Sequence, residues 1–393
     1  MTSSNRGLPV TRIRAENFRS FRDVDVELRP LTVLVGPNGS GKSNLLKVLQ
    51  FLSAATRFDI GVALDQWGGF ERVQRQSPKT GQVALAIEGS VTQHSSAGAP
   101  DSYQLKFNRA ASGITRREIF EFKRVPGKGR RIQVTGSQVT IQGDGDDSRR
   151  QLASGQTSGL GTLARLSDTD VGPGPASYAE FLSSIRVLEP NVEEARRPSR
   201  VVAGPLADDA HNLSAALMNL RQSSPDAFSS LVFDLRRCLP GLENLQLMPV
   251  GGTTSSVVVQ LVERGVTRPI DLADASFGTV RLLALLVALH EPKPPKFTAI
   301  EEVDHGLHPY ALEVLIERMR DATTRTQILA ATHSPTLVNR LEPTEILVCD
   351  RDPVTGESLM PARSAEEIQR AVDASDFGPG ELWFAGAIGG VPA

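Results

Sequence analysis

The chain has 393 residues, 40% of them hydrophobic, and 43 Lys and Arg against 45 Asp and Glu give a net charge of −2. That length fits one large domain or a core with a sizeable insertion, and the charge balance argues against a protein that coats nucleic acid by bulk charge, while leaving room for a local basic patch. Two cysteines, Cys238 and Cys349, without a CxxC pair argue against a disulfide framework or zinc ribbon and for a reducing, cytoplasmic setting; the polar first seven residues lack a signal peptide's apolar core, and no run approaches the roughly 18 apolar residues that span a bilayer.

Three β-like runs open the chain, at 11–18, 24–28 and 31–35, with Arg29-Pro30 between the last two. The third is short, apolar and β-branched, the pattern of a buried parallel strand. It stops at Gly36, and a helix starts near Lys42 with Leu45, Leu46, Val48 and Leu49 on its buried face. Residues 82–142 predict further strands joined by Gly-rich turns. The tract 143–177 is dense in Gly, Ser and Asp and reads as loop with flexible backbone. A helix over 178–184 and a strand over 186–188 follow. Helices are expected at 209–220 and from Ser224-Pro225, a cap and a first-turn proline, to about 239. Strands at 245–248 and 257–262 lead back to the core. From 279 the pattern alternates: a very apolar helix to 290, strand 297–301, a helix after Pro309, strand 327–331, a helix near Pro335 and strand 345–349. Such alternation implies a mostly parallel sheet covered by helices.

Gly36-Pro37-Asn38-Gly39-Ser40-Gly41-Lys42-Ser43 fits G-x-x-x-x-G-K-[ST]. Its glycines let successive N–H groups face one phosphate chain, and the helix that starts there turns its positive end to the anion. Lys42 would carry a point charge to the β- and γ-phosphates, and Ser43 would ligate Mg²⁺. The strand 297–301 ends in Glu301-Glu302. Carboxylates at that end of a doubly wound sheet emerge beside the phosphate loop. Glu301 would hold Mg²⁺ and its waters, and Glu302 would take a proton from the attacking water. Thr332-His333-Ser334 follows the next apolar strand, where an imidazole could sense the γ-phosphate. His305 and His308, with Asp304 near, read as a turn into the helix after Pro309 rather than a zinc site. Ser276 and Gly278 precede the most apolar helix of the chain. Its N-terminus favours a γ-phosphate, and the chain's own phosphate loop already has a helix end.

The order of these motifs resembles ABC-type ATPases, in particular the RecF/SMC/OLD-like branch of bacterial AAA-annotated ATPases. Arg19-Ser20-Phe21 after Glu16-Asn17-Phe18 resembles the strand motif that opens those proteins and lies near the nucleotide base. The run from Glu301 to Pro309 is similar to their Glu-Glu-Pro-Glu-x-Gly-Leu-His-Pro. The likeness covers residues 10–75 and 205–350. It implies an α/β P-loop NTPase with an ABC-type ATPase head, a mixed or parallel sheet flanked by helices, and a β-rich and helical insertion. The expected division is 1–75, the N-terminal half of the core; 76–204, the insertion; 205–270, a lobe leading to the signature helix; and 271–393, the C-terminal half and tail. Ser276 and Gly278 would then touch the ATP bound to a second subunit, with Asp304 near the dimer seam. Gln66, with Gln74 and Gln76 close by, is the candidate for the glutamine that links ATP and its metal to the insertion. Phe277 stands where the family has Asp, and Val303 where it has Pro.

Residues 116–131 carry seven basic residues and two acids with Phe120 and Phe122 interleaved, either a phosphate-contacting patch or a solvated hairpin face. The expected function is therefore an ATP-hydrolysing, Mg²⁺-dependent homodimer or higher oligomer without a membrane. It would act on a separate effector protein or on DNA, in anti-phage defence or DNA repair. The alternative is an OLD-like ATP-dependent nuclease or its ATPase subunit. For that reading Asp350-Arg351-Asp352 superficially fits an Asp-x-Asp metal motif, while a strand-to-turn exit explains it better. A transporter subunit fits neither the opening strand motif nor the insertion. The apolar, Gly-rich tail with Trp383-Phe384 either docks a partner or folds back on the core.

Overall fold

Strand pairing divides the chain into two principal sheets. In chain order the strands are β1 (Arg12–Phe18), β2 (Phe21–Glu27), β3 (Leu31–Val35), β4 (Val83–Gly89), β5 (Asp101–Ala110), β6 (Gly113–Val125), β7 (Lys128–Thr135), β8 (Gln138–Gln142), β9 (Ser148–Gln151), β10 (Arg186–Leu188), β11 (Ser199–Arg200), β12 (Leu242–Val250), β13 (Ser256–Glu263), β14 (Ile270–Asp271), β15 (Phe297–Ile300), β16 (Gln327–Thr332), β17 (Ile346–Val348), β18 (Asp350–Arg351) and β19 (Ser358–Leu359). This computed structural model describes residues 7–390 except 77–80, 112, 126–127, 144–147, 153–158, 164–172, 203 and 252–255.

The inner sheet has the order β10-β15-β16-β3-β17, and every neighbouring pair is parallel. Its strands are buried on both faces, which is why they read as unbroken apolar runs. Side chains alternate between two cores. Leu34, Leu329, Ala331 and Leu347 pack with the helix Lys42–Arg57 and the outer sheet. Val33, Val35, Ile328 and Ile346 pack with the helices Phe277–His290 and Pro309–Ala322. In the former helix all residues from Val280 to Leu289 are buried, so it is enclosed around its whole circumference, with Arg281 the one charged residue of that span.

The outer sheet is antiparallel, β2-β1-β4-β5-β6-β7-β8-β9. The three opening runs thus separate: the first two pair with each other and β1 with β4, while β3 joins the inner sheet. The β1–β4 ladder crosses the expected boundary at 75/76, and β10, inside the expected insertion, belongs to the inner sheet. Helices begin elsewhere than expected at Gly174–Ser184 and Leu213–Ser223. Within the tract 143–177, β9 and a helix at Gly159–Leu163 are ordered elements, and residues 144–147, 153–158 and 164–172 lie outside the described residues.

The basic run forms β6 and β7, and its two acids pair with two of its cations within the sheet. Arg116 is buried against Glu118 and donates to the Gly136 carbonyl at 3.1 Å. Glu118 also accepts from the Tyr103 hydroxyl at 2.8 Å and from the backbone of Gly159 and Leu160 at 2.6 and 3.1 Å, so it fixes the N-terminus of the helix Gly159–Leu163. Arg131 pairs with Glu121, and Arg117 donates to Gln133. Phe120 and Phe122 stack on one another in the core. The side chains of Arg124 and Lys128 lie outside the described residues.

At the other end, Trp383 is buried and Phe384 is 75% exposed, so the tail folds back through its indole and leaves the neighbouring ring in solvent. Asn339 accepts from the Gly380 and Glu381 amides and pins this helix. Among the described residues no helix is long and apolar enough to cross a membrane.

Gln327 joins the two sheets. Its buried side chain accepts from the Val10 amide at 2.9 Å and donates to the carbonyls of Val10 at 2.6 Å and Arg29 at 3.1 Å. Gln327→Leu keeps the volume and strands the buried amide and carbonyl of Val10 and the part-buried carbonyl of Arg29, the buried groups costing about 1–3 kcal/mol each when unsatisfied. Urea unfolding is expected to show a loss of about 3 kcal/mol or more, and an unchanged midpoint would refute the bridge.

Candidate nucleotide-binding site

Parallel pairing puts the carboxyl ends of β3, β15 and β16 on one edge of the inner sheet, so the loops that follow them meet there. After β3, Gly36 passes beneath β17. A Cβ at this position would lie 2.2 Å from the Cys349 carbonyl oxygen, so only glycine fits. Gly39 and Gly41 have φ of +79° and +109°, the left-handed region that glycine enters without strain. Gly41 is the N-cap of Lys42–Arg57, and a Cβ there would strike Ser358 Oγ at 2.4 Å. The backbone amides therefore line a cradle that larger residues would close. Ser40 Oγ is buried without a hydrogen-bond partner.

Lys42 is 5% exposed, and its ammonium donates to the carbonyls of Gly36 at 2.7 Å and Pro37 at 2.9 Å. Burial holds its pKa below the ordinary lysine value, opposed by Cys349, Asp304, Glu302 and Glu301. One cavity is lined by Asn38, Gly39, Gly41, Lys42, Ser43 and Asn44 of the phosphate loop together with Glu302 and His333. The expected base and sensor thus face the loop across a single space. Burial, with Lys42 adding to it, lowers the His333 pKa, so the imidazole is neutral at pH 7 and can exchange hydrogen bonds with a phosphate oxygen.

Glu301 and Glu302 part company at the end of β15. Glu302 has φ +47°, left-handed for a non-glycine, and lines both the phosphate-loop cavity and an adjoining one. Glu301 lines the adjoining cavity with Glu189 and Arg281. Arg281, on the signature helix, is buried and donates to the carbonyls of Glu301 and Glu302, both at 2.8 Å. Asp304 is half-buried, and its Oδ1 accepts from the Thr332 hydroxyl at 2.6 Å and the His333 amide at 3.2 Å. It is therefore turned towards the sensor loop of its own chain rather than outwards as a seam residue.

Ser276 and Gly278 stand apart from the phosphate-loop cavity. Ser276 is exposed and caps its own helix, with Oγ accepting from the Thr279 amide at 3.1 Å. A Cβ on Gly278 would lie 2.4 Å from the Gly306 carbonyl, so the signature segment packs closely on the turn after β15. Arg19 and Ser20 line a groove beside the phosphate loop, with Asn44 shared between groove and cavity. Asn44 donates to Ser20 Oγ at 2.7 Å, and the Arg19 guanidinium sits 5.0 Å from the Trp67 ring centre.

Gln66 ends a short helix, Ile60–Gln66, is exposed, and lines neither space, whereas Gln74 and Gln76 line the groove. The group that reaches the carboxylates is Glu189, which sequence reasoning missed. β10 pairs with β15, so Glu189 emerges beside Glu301, and burial followed by the field of Glu301 raises its pKa. The signal was a short apolar strand ending in Glu-Pro, the same form as the strand ending in Glu-Glu. Asp352 Oδ1 accepts from the amides of Val354 and Thr355, which closes the turn between β18 and β19; the Asp-x-Asp is turn chemistry. His308 caps the helix Pro309–Ala322. Both cysteines are free, their thiols pushed up by burial to about 11 and about 12, so neither is a nucleophile at pH 7.

Lys42→Ala removes the cation from this cradle. ATP binding is expected to fall below detection in titration calorimetry at unchanged thermal midpoint; undiminished affinity would refute the phosphate-loop assignment.

Comparison with known proteins agrees with this geometry. A 41-residue stretch is 44% identical to the OLD nuclease of Thermus scotoductus, covering 10% of this chain and 8% of that protein. A 115-residue stretch is 30% identical to the DNA replication and repair protein RecF of Beutenbergia cavernae, covering 28% of this chain and 29% of that protein. The chain thus matches under a third of the length of these curated relatives. Among solved structures, an Smc head bound to the C-terminal winged-helix domain of ScpA superposes with a TM-score of 0.54 at 12% identity, over 89% of this chain and 97% of that one, a likeness of fold. The family described as "AAA domain, putative AbiEii toxin, Type IV TA system" matches residues 31–339. The chain belongs to this family, as an ABC-type ATPase of the RecF/SMC/OLD branch with an SMC-head-like fold.

Proposed function

We propose that the protein hydrolyses ATP as a head-to-tail dimer. The phosphate loop of one protomer grips the triphosphate, and the Ser276-led helix of a second copy seals it. One observation carries this reading. The phosphate loop, Glu302 and His333 share a cavity, while Ser276 and Gly278 lie outside it on an exposed helix end. A second copy can supply that end where the chain's own fold does not.

In this reading Lys42 and the loop amides hold the β- and γ-phosphates. Arg19 and Ser20 lie on the side of the base, and His333 monitors the γ-phosphate. Ser43, on the phosphate-loop cavity, and Glu301, on the adjoining one, are the hard oxygen donors that would hold Mg²⁺. The ion would neutralise charge developing on the transferred phosphoryl group. Glu302 accepts the proton of the attacking water. Arg281 fixes the backbone of both carboxylates, so the orientation of the base follows the position of the signature helix.

Closure of the dimer on ATP and reopening after hydrolysis would act on a separate effector protein or on DNA, in anti-phage defence or DNA repair. The OLD nuclease and RecF matches support that context.

Glu302→Gln keeps the shape of the base and removes its basicity. It is expected to bind ATP with near-normal affinity, lower turnover by at least about a hundredfold, and run as a dimer in size-exclusion chromatography with ATP and Mg²⁺. Normal turnover in this variant would show that another group takes the proton, and a monomer under all conditions would remove the head-to-tail arrangement.

A further inference from the structure

The phosphate-loop cavity holds about 160 Å³, room for phosphate groups but too little for a whole nucleotide, and the groove beside it holds about 990 Å³. Asn44 lines both spaces. A nucleotide whose γ-phosphate faces Glu302 and His333 therefore runs out past Asn44, with its base towards Arg19 and Ser20. Its α-phosphate then falls at the junction of cavity and groove. One wall of that junction comes from the far end of the chain. The hairpin of β18 and β19 puts Arg351 on the groove, and Arg351 Nη1 lies 3.4 Å from where a Cβ on Gly39 would stand, at van der Waals contact with the phosphate loop. Gly39 itself lines the cavity.

We propose that Arg351 binds the α-phosphate of the nucleotide. The proposal rests on the nucleotide reading of the phosphate loop. The hairpin that carries Arg351 is anchored to the site. The Ser358 amide donates to the Ser20 carbonyl at 3.2 Å, the Ser358 and Ser20 hydroxyls are 2.7 Å apart, and Glu357 pairs with Arg75 at 3.1 Å. Within the hairpin, Arg351 Nε donates to the Gly356 carbonyl at 3.1 Å. That bond ties the guanidinium down at one nitrogen and leaves Nη1 and Nη2 without a hydrogen-bond partner among the described residues. No acid among them pairs with Arg351, and Glu71, the one acid on the groove, pairs with Arg109. An unanswered guanidinium offers a phosphate two charge-assisted donors in a fixed fork. Because Nε is already tied, less freedom is lost when the other two nitrogens bind. Lys42 serves the β- and γ-phosphates from inside the cavity, so the α-phosphate is the charge left for Arg351. ATP and ADP both carry that phosphate, so the contact outlasts hydrolysis.

The test is titration calorimetry of the full-length protein with ADP and with a non-hydrolysable ATP analogue, thermal midpoints confirming the fold. Arg351→Gln, whose amide can still donate to the Gly356 carbonyl but carries no charge, is expected to raise Kd for both nucleotides about tenfold, the loss of one charge-assisted contact. Arg351→Lys, which keeps the charge without the fork, is expected to stay within about threefold of the parent. Added salt is expected to narrow the gap between the parent and Arg351→Gln, since an exposed ionic contact is screened. Unchanged Kd values in Arg351→Gln, with binding lost in Lys42→Ala, would overturn the role of Arg351 and leave the phosphate loop in place. Weakening confined to the ATP analogue would move the contact to the γ-phosphate and overturn the α-phosphate assignment. Equal weakening in Arg351→Lys and Arg351→Gln, insensitive to salt, would assign Arg351 to the shape of the hairpin and overturn it as well. Undiminished binding in Lys42→Ala would overturn the nucleotide reading and the proposal with it.

Discussion

The register of the inner sheet governs the rest of the molecule. Ala330 faces both Ile300 and Val33, and Thr332 faces Val35, so three strands run out together and their loops converge. A one-residue slip would exchange the two cores, sending Leu34 and Leu329 to the side of Val33 and Ile328. It would also withdraw Glu302 or His333 from the phosphate loop. Burial on both faces forbids such a slip, and the site inherits its precision from the packing beneath it.

What the sequence disclosed was local. The glycines, lysine and serine of 36–43 are contiguous, and their chemistry follows from spacing. The two acids after 297–300 and the histidine after 327–332 are read the same way, each from an apolar strand and what terminates it. What stayed hidden depends on partners far away in the chain. Nothing in 186–190 says that β10 lies against β15, so Glu189 was passed over. Nothing in the first two β-like runs says that they turn away from the third. The helices at Ala365–Asp373 and Pro379–Phe384 were likewise unforeseen, being short and set by contact with Asn339 and the core.

The basic stretch shows how counting charges misleads. Seven cations against two acids looks like a surface for phosphates, yet in a strand alternate residues face opposite sides. Arg116 turns inward with Glu118, and the two carry a buried network that holds a neighbouring helix. The aromatic residues between the cations are core, stacked on one another, and do not wait for bases.

Asp304 has a mechanical consequence. By accepting from both Thr332 and His333 it rivets the turn after β15 to the turn after β16. Glu302 and His333, the proposed base and sensor, are thereby tied together through one carboxylate. In the proposed cycle, a displacement of one turn would carry the other with it.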